Sequence, residues 1–145
     1  MANSTIKSPP RINGKAVVGN VTSKGVEIGT EEKSPSSVTS SIATGTTRKF
    51  LNELTLSKGI WLVNYRAAFR TASATGSRHL AICNSDGVAI GWAEVTSGSN
   101  SSGQPQLNVF KVVDATSDNY KIKAGVWQTS GTNMNVEVYA HAIKV

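Results

Sequence analysis

Beyond residue 50 apolar and polar residues alternate with period two, in short runs bounded by Gly, Asn, Asp and Ser. Such runs are the mark of half-buried antiparallel strands, and helical spacing has almost no support. The pattern predicts strands near 50–57, 60–71, 77–84, 88–96, 105–114, 119–128 and 134–144. In "GIWLVNYRAAF", residues 59–69, the side chains of Trp61, Val63, Tyr65, Ala67 and Phe69 share one side. In the final run Met134, Val136, Val138, Ala140 and Ala142 share one face, and Asn135, Glu137, Tyr139, His141 and Ile143 the other. Asp86-Gly87 predicts a hairpin, because Gly accepts the positive φ of tight primed turns. The stretch "TSGSNSSGQP", 96–105, reads as a long polar loop.

A monomeric sandwich pairs one apolar sheet face with one polar face. Here Tyr139, Ile143 and Val145 interrupt the polar side of the last strand, and Leu62 does so opposite the Trp61 side. These four residues predict an outer sheet face covered by another subunit. Scattered surface apolar residues, which are common, are the alternative.

Upstream the pattern changes. Residues 30–47, "TEEKSPSSVTSSIATGTT", hold ten serines and threonines and no aromatic residue, a poor composition for a packed core. The expected division is therefore an arm or linker over 1–47 and a β-sandwich head over 48–145. Within the arm, Ala16 to Val18 and Val26 to Ile28 are short β-branched stretches that fit either strands pairing with a neighbouring chain or a flexible tail.

Length and charge add limits. A chain of 145 residues can bury one core without disulfide or metal staples. Its single cysteine, Cys83, forms no intrachain bridge, and the N-terminus lacks a secretory apolar run, so synthesis in a reducing cytosol is expected. No stretch approaches the length of a membrane helix, and no membrane insertion is expected. The net charge of +6 is concentrated in the first 50 residues, where Lys7, Arg11, Lys15, Lys24, Lys33, Arg48 and Lys49 face only Glu27, Glu31 and Glu32. A dispersed surplus without interleaved aromatic residues is a weak phosphate footprint, and nucleic acid is not expected as a partner.

No catalytic constellation emerges. His79 and His141 have no metal-ligand spacing, and no G-x-S-x-G elbow or P-loop occurs. Four residues separate His79 from Cys83, about 13 Å along a strand, too far for proton transfer. Cys83 reads as a small buried side chain. The carboxylates Asp86, Glu94, Asp114, Asp118 and Glu137 show no spacing that pairs them as a glycosidase acid and base. The expectation is a protein without enzymatic activity, metal or cofactor.

Binding candidates are of another kind, since saccharide sites combine an aromatic plate with a few fixed polar groups. Trp92 and Trp127 each fit a sugar-stacking role or a place in the core, and core is the commoner place for tryptophan in a small sandwich. Trp61, leading the regular apolar side of its strand, reads as core. Arg78, His79, Asn84 and Asp86 cluster around a strand and its turn and are candidate polar groups, although a solvated hairpin explains them equally well.

The strand ending "LTLSKG", then "IWLVNYRAAF", later "YKIKAGVWQTSG" and the final "MNVEVYAHAIKV" together resemble the C-terminal head domain of phage and prophage tail-fibre or receptor-binding proteins. Those heads are similar to the jelly roll of tumour necrosis factor and of complement globular heads. The resemblance covers about residues 48–145. It implies an all-β antiparallel jelly-roll sandwich with an extended N-terminal arm, and a homotrimer about a threefold axis. It further implies binding of saccharide on the host cell surface, and a location in the virion after assembly in the host cytoplasm. The arm would dock on other virion proteins. A fibre shaft is nearly missing, with no heptads or collagen-like repeat before residue 48. The alternative is a structural capsid decoration or head-fibre protein without a glycan ligand.

Overall fold

The computed structural model describes residues 31–71, 73, 75–96 and 105–145. Eight strands follow one another: β1 Glu32–Ile42, β2 Gly45–Leu56, β3 Gly59–Phe69, β4 Ser77–Asn84, β5 Ala89–Thr96, β6 Gln106–Ala115, β7 Tyr120–Gln128 and β8 Met134–Lys144. They form two four-stranded antiparallel sheets, ordered β1-β8-β3-β6 and β2-β7-β4-β5. First pairs with eighth, second with seventh, third with sixth and fourth with fifth. That nesting is a long antiparallel ribbon rolled on itself, which is the jelly roll.

The core lies between the sheets and is built by the predicted alternation. Trp61, Val63, Tyr65, Ala67 and Phe69 of β3 are buried, as are Met134, Val136, Val138, Ala140 and Ala142 of β8. Leu56, Leu80, Ile82, Ile122 and Val126 meet them from the other sheet. The polar tips find partners: Trp61 Nε1 donates to the Ser57 carbonyl at 2.9 Å, and the Tyr65 hydroxyl donates to the Asn52 carbonyl at 2.7 Å. Burial pushes the Tyr65 phenol well above its ordinary pKa, so it stays a neutral donor.

One expectation is corrected. The stretch read as linker contains β1, which pairs with β8 from Glu32↔Ile143 to Ile42↔Met134. The sandwich therefore begins upstream of residue 48. Its pairing runs through the backbone, which composition does not report, and its apolar content is sparse. Ile42 is buried, whereas Val38 is 38% exposed. Asn52 ties the strand down, donating from Nδ2 to the Ser36 and Val138 carbonyls. The stretches Ala16 to Val18 and Val26 to Ile28, and most of the predicted 96–105 loop, lie outside the described residues.

The Asp86-Gly87 hairpin is present. Gly87 has φ of +84°, and Asn84 Oδ1 accepts from the amides of Asp86 and Val88 at 3.0 and 2.9 Å. No helix among the described residues is long and apolar enough to cross a membrane.

Candidate functional site

The outer face of the β2-β7-β4-β5 sheet carries an aromatic platform. His79 on β4 lies opposite Trp127 on β7 and Glu94 on β5, while Ala81 lies opposite Gly125 and Trp92. Register thus gathers three aromatic rings from three strands. The His79 ring is stacked on Trp127, with centroids 4.3 Å apart and planes 4° from parallel. Trp92 continues the stack at 6.3 Å and 7°. Trp92 is 60% exposed, the outermost ring of the three.

Beneath the rings the middle strands carry small groups. Ala81 and Cys83 are fully buried although they point to the outer face. Gly125 is required by close approach: a Cβ there would lie 3.0 Å from both Arg48 Cδ and Cys83 Sγ and 3.3 Å from Phe50. β2 completes the platform, with the Arg48 guanidinium 5.1 Å from the Trp127 ring centroid and Phe50 beneath Lys123 Nζ at 4.6 Å. Burial raises the Cys83 thiol above its ordinary pKa, against the pull of Arg48 and Lys123. It is an inert filler.

His79 is held by a hydrogen bond at one ring nitrogen. Nε2 and the Ser77 hydroxyl are hydrogen-bonded at 2.6 Å, and the Glu94 carboxylate approaches Nδ1 to 3.1 Å without the alignment of a hydrogen bond. Burial lowers the His79 pKa, and the Glu94 charge only partly opposes it. At neutral pH the ring is a neutral plate that holds Trp127 and Trp92 parallel.

The other sequence candidates separate from this face. Arg78 points inward and is fully buried. Its guanidinium donates to the carbonyls of Ser73, Thr75 and Gly76 at 2.8, 2.7 and 3.0 Å, so it braces the β3–β4 connection and is closed to a ligand. Asn84 ends β4, five residues from His79 or about 16 Å along a strand, and Asp86 follows in the turn. They border a hollow of about 300 Å³ with Ser117, Asn119 and Lys121. Core is not the place of Trp92 or Trp127. Sequence reading missed Arg48, Phe50 and Lys123, which reach the platform through cross-strand register rather than spacing along the chain.

A second surface lies on the outer face of the β1-β8-β3-β6 sheet. Leu62 is opposite both Val112 and Ile143, so the three form one row across β6, β3 and β8. Ile60, Phe110 and Val145 extend it, and Phe110 and Val112 are 67% and 62% exposed. Of the four residues expected at an interface, Leu62, Ile143 and Val145 fall in this patch. Tyr139 sits beside it, beneath the Arg66 guanidinium at 4.0 Å, and its hydroxyl accepts from Arg70, which also holds Glu137.

No family model and no curated protein sequence matches the chain. Among solved structures it is similar to the infectious bursal disease virus VP2 subviral particle, at 11% identity and a TM-score of 0.48 over 81% of this chain and 33% of that one. It is also similar to dimeric latent PorU from Porphyromonas gingivalis, at 13% identity and a TM-score of 0.41 over 74% and 10%. A third is the carbohydrate-binding module CBM6cm-2 of Cellvibrio mixtus lichenase 5A in complex with cellotriose, at 12% identity and a TM-score of 0.36 over 80% and 90%. The chain spans about a third of the VP2 chain and a tenth of PorU.

Neither histidine belongs to a cluster that would hold a metal among the described residues. His141 pairs with Glu32, Glu137 with Arg70, and Asp118 accepts from the Lys58 amide. Of the candidate acids, Glu94, Asp118 and Glu137 are thus engaged in local contacts, and the platform can stack and orient a ligand.

Proposed function

We propose that the chain is a virion head protein of the tail-fibre-tip kind, which binds host cell-surface saccharide as a homotrimer and does not transform it. The observation that carries this reading is the Trp92–His79–Trp127 stack on an outer sheet face. The stack holds Trp92, its outermost ring, open to solvent as the flat apolar plate on which a sugar ring packs, and Ser77, Glu94 and Arg48 supply polar groups along the stack. The virion setting is supported by the resemblance of the "KGIW" strand and the final strand to phage heads. Attachment to other virion proteins is assigned to the segment ahead of β1. The apolar row Val112–Leu62–Ile143 on the opposite sheet supports coverage by identical neighbours, leaving the platforms on the outside of the assembly.

A glycan array tests the reading. The intact chain should bind a subset of glycans, and Trp92→Ala should lose them while keeping its melting temperature. Absence of any glycan ligand would favour a structural decoration protein instead, and glycan binding unchanged in Trp92→Ala would place the site away from the platform.

A further inference from the structure

We propose that the ligand of the platform is an anionic glycan chain, with a sugar ring on the open face of Trp92 and its acid groups, carboxylate or phosphate, held by Arg48 and Lys123. This rests on the saccharide-binding reading and names the chemical class of the ligand.

The first support is charge that has no counterpart. On this face Lys121 is paired with Glu53 at 2.9 Å, and Glu94 sits on the far edge strand β5, 3.1 Å from His79 Nδ1. Neither Arg48 nor Lys123 has a carboxylate partner among the described residues. Each instead donates to a carbonyl of the β4–β5 hairpin, Arg48 to Gly87 at 3.1 Å and Lys123 to Ser85 at 2.9 Å. A guanidinium has five N–H donors and an ammonium three, so these contacts leave most of their capacity unused. The guanidinium fork matches carboxylate and phosphate oxygens in pairs.

The second support is placement. Both cations are held against rings, Arg48 over Trp127 and Lys123 over Phe50, so they are fixed at the platform instead of sweeping through solvent. Phe50 is itself 42% exposed between them. β2 and β5 are the two edges of the sheet, separated by three strand spacings or roughly 14 Å. A ligand that touches Trp92 on β5 and Arg48 on β2 must therefore be longer than one sugar ring and lie across the strands. An acidic polymer meets both demands. Nucleic acid is also anionic and stacks, but two free cations are a small footprint for a phosphate backbone.

The test titrates the full chain with dextran, polygalacturonate, a phosphorylated dextran and a single-stranded oligonucleotide, at low and high salt. One acid polymer or both should bind at least about tenfold tighter than dextran, as charge-assisted hydrogen bonds to an acid group imply. Which of the two binds identifies carboxylate or phosphate as the source. That preference should weaken in high salt and vanish in Arg48→Gln/Lys123→Gln. Lys58→Gln, which removes a cation elsewhere, should keep it. Dextran bound as tightly as the acid polymers would overturn this inference and leave the saccharide reading standing. Binding of no glycan would overturn both, and preference for the oligonucleotide would replace the ligand class.

Discussion

At the residue scale, burial decides which aromatic residues hold the fold and which are free to meet a ligand. Trp61 is fully buried, and truncating such a side chain costs about 3–5 kcal/mol, a large part of a typical stability of about 5–15 kcal/mol. Trp61→Ala should therefore melt far below the parent chain. Arg70→Ala breaks an exposed pair with Glu137 and should shift stability by less than about 1 kcal/mol. Thermal melts compare them directly, and equal midpoints would refute the assigned facing. His79 gives a pH signature. Its folded pKa lies below the ordinary 6.5, so the unfolded chain takes up the proton first as pH falls. Its contribution is complete above about pH 6.5 and is lost progressively below it. Denaturant unfolding at stepwise lower pH should show that loss, reduced in His79→Gln. An equal slope in both chains would place the titrating group elsewhere.

Elements show where sequence pattern is sufficient and where it is not. The period-two runs located β2 to β8 because each of those strands packs one side against a core, and burial writes itself into alternate residues. The hairpin at Asp86-Gly87 was legible because a positive φ narrows residue choice. β1 was not, since a strand that contributes a backbone ladder and little apolar surface leaves only Thr and Ser behind. The platform was half legible. Trp92, Trp127 and His79 were visible as residue types, yet their meeting depends on the register of β4 between β5 and β7, which no single strand encodes. Arg78 sits beside His79 in sequence but on the opposite side of the sheet, and a one-residue step in a strand explains the separation. The β1 finding gives an element-scale prediction. A chain beginning at residue 48 leaves the β8 edge unpaired and the cavity around Ile42 open, and should lose its cooperative melt, whereas one beginning at residue 31 should retain it. A cooperative, soluble fold from residue 48 would show β1 to be dispensable.

For the whole molecule the two outer sheet faces divide the work. The β1-β8-β3-β6 face, with Leu62, Val112 and Ile143 in a row, is proposed to close the trimer, and the β2-β7-β4-β5 face to carry the saccharide platform. An open platform offers a single sugar chain few contacts, so each site alone should be weak. Several sites on one rigid head can gain roughly 10²- to 10⁴-fold in avidity against a surface that repeats its glycan. Light scattering of the parent chain should report about three times its 15.3 kDa mass, and a charge in the apolar row, Ile143→Asp, should give a folded monomer. The decisive measurement is retention of these two chains on a surface densely coated with a bound glycan, compared with their affinity for the same glycan free in solution. The account predicts equal affinity per site for the free glycan and surface retention weaker by about 10²-fold or more in the Ile143→Asp monomer. A parent chain that is monodisperse as a monomer and still holds the surface as strongly would contradict it.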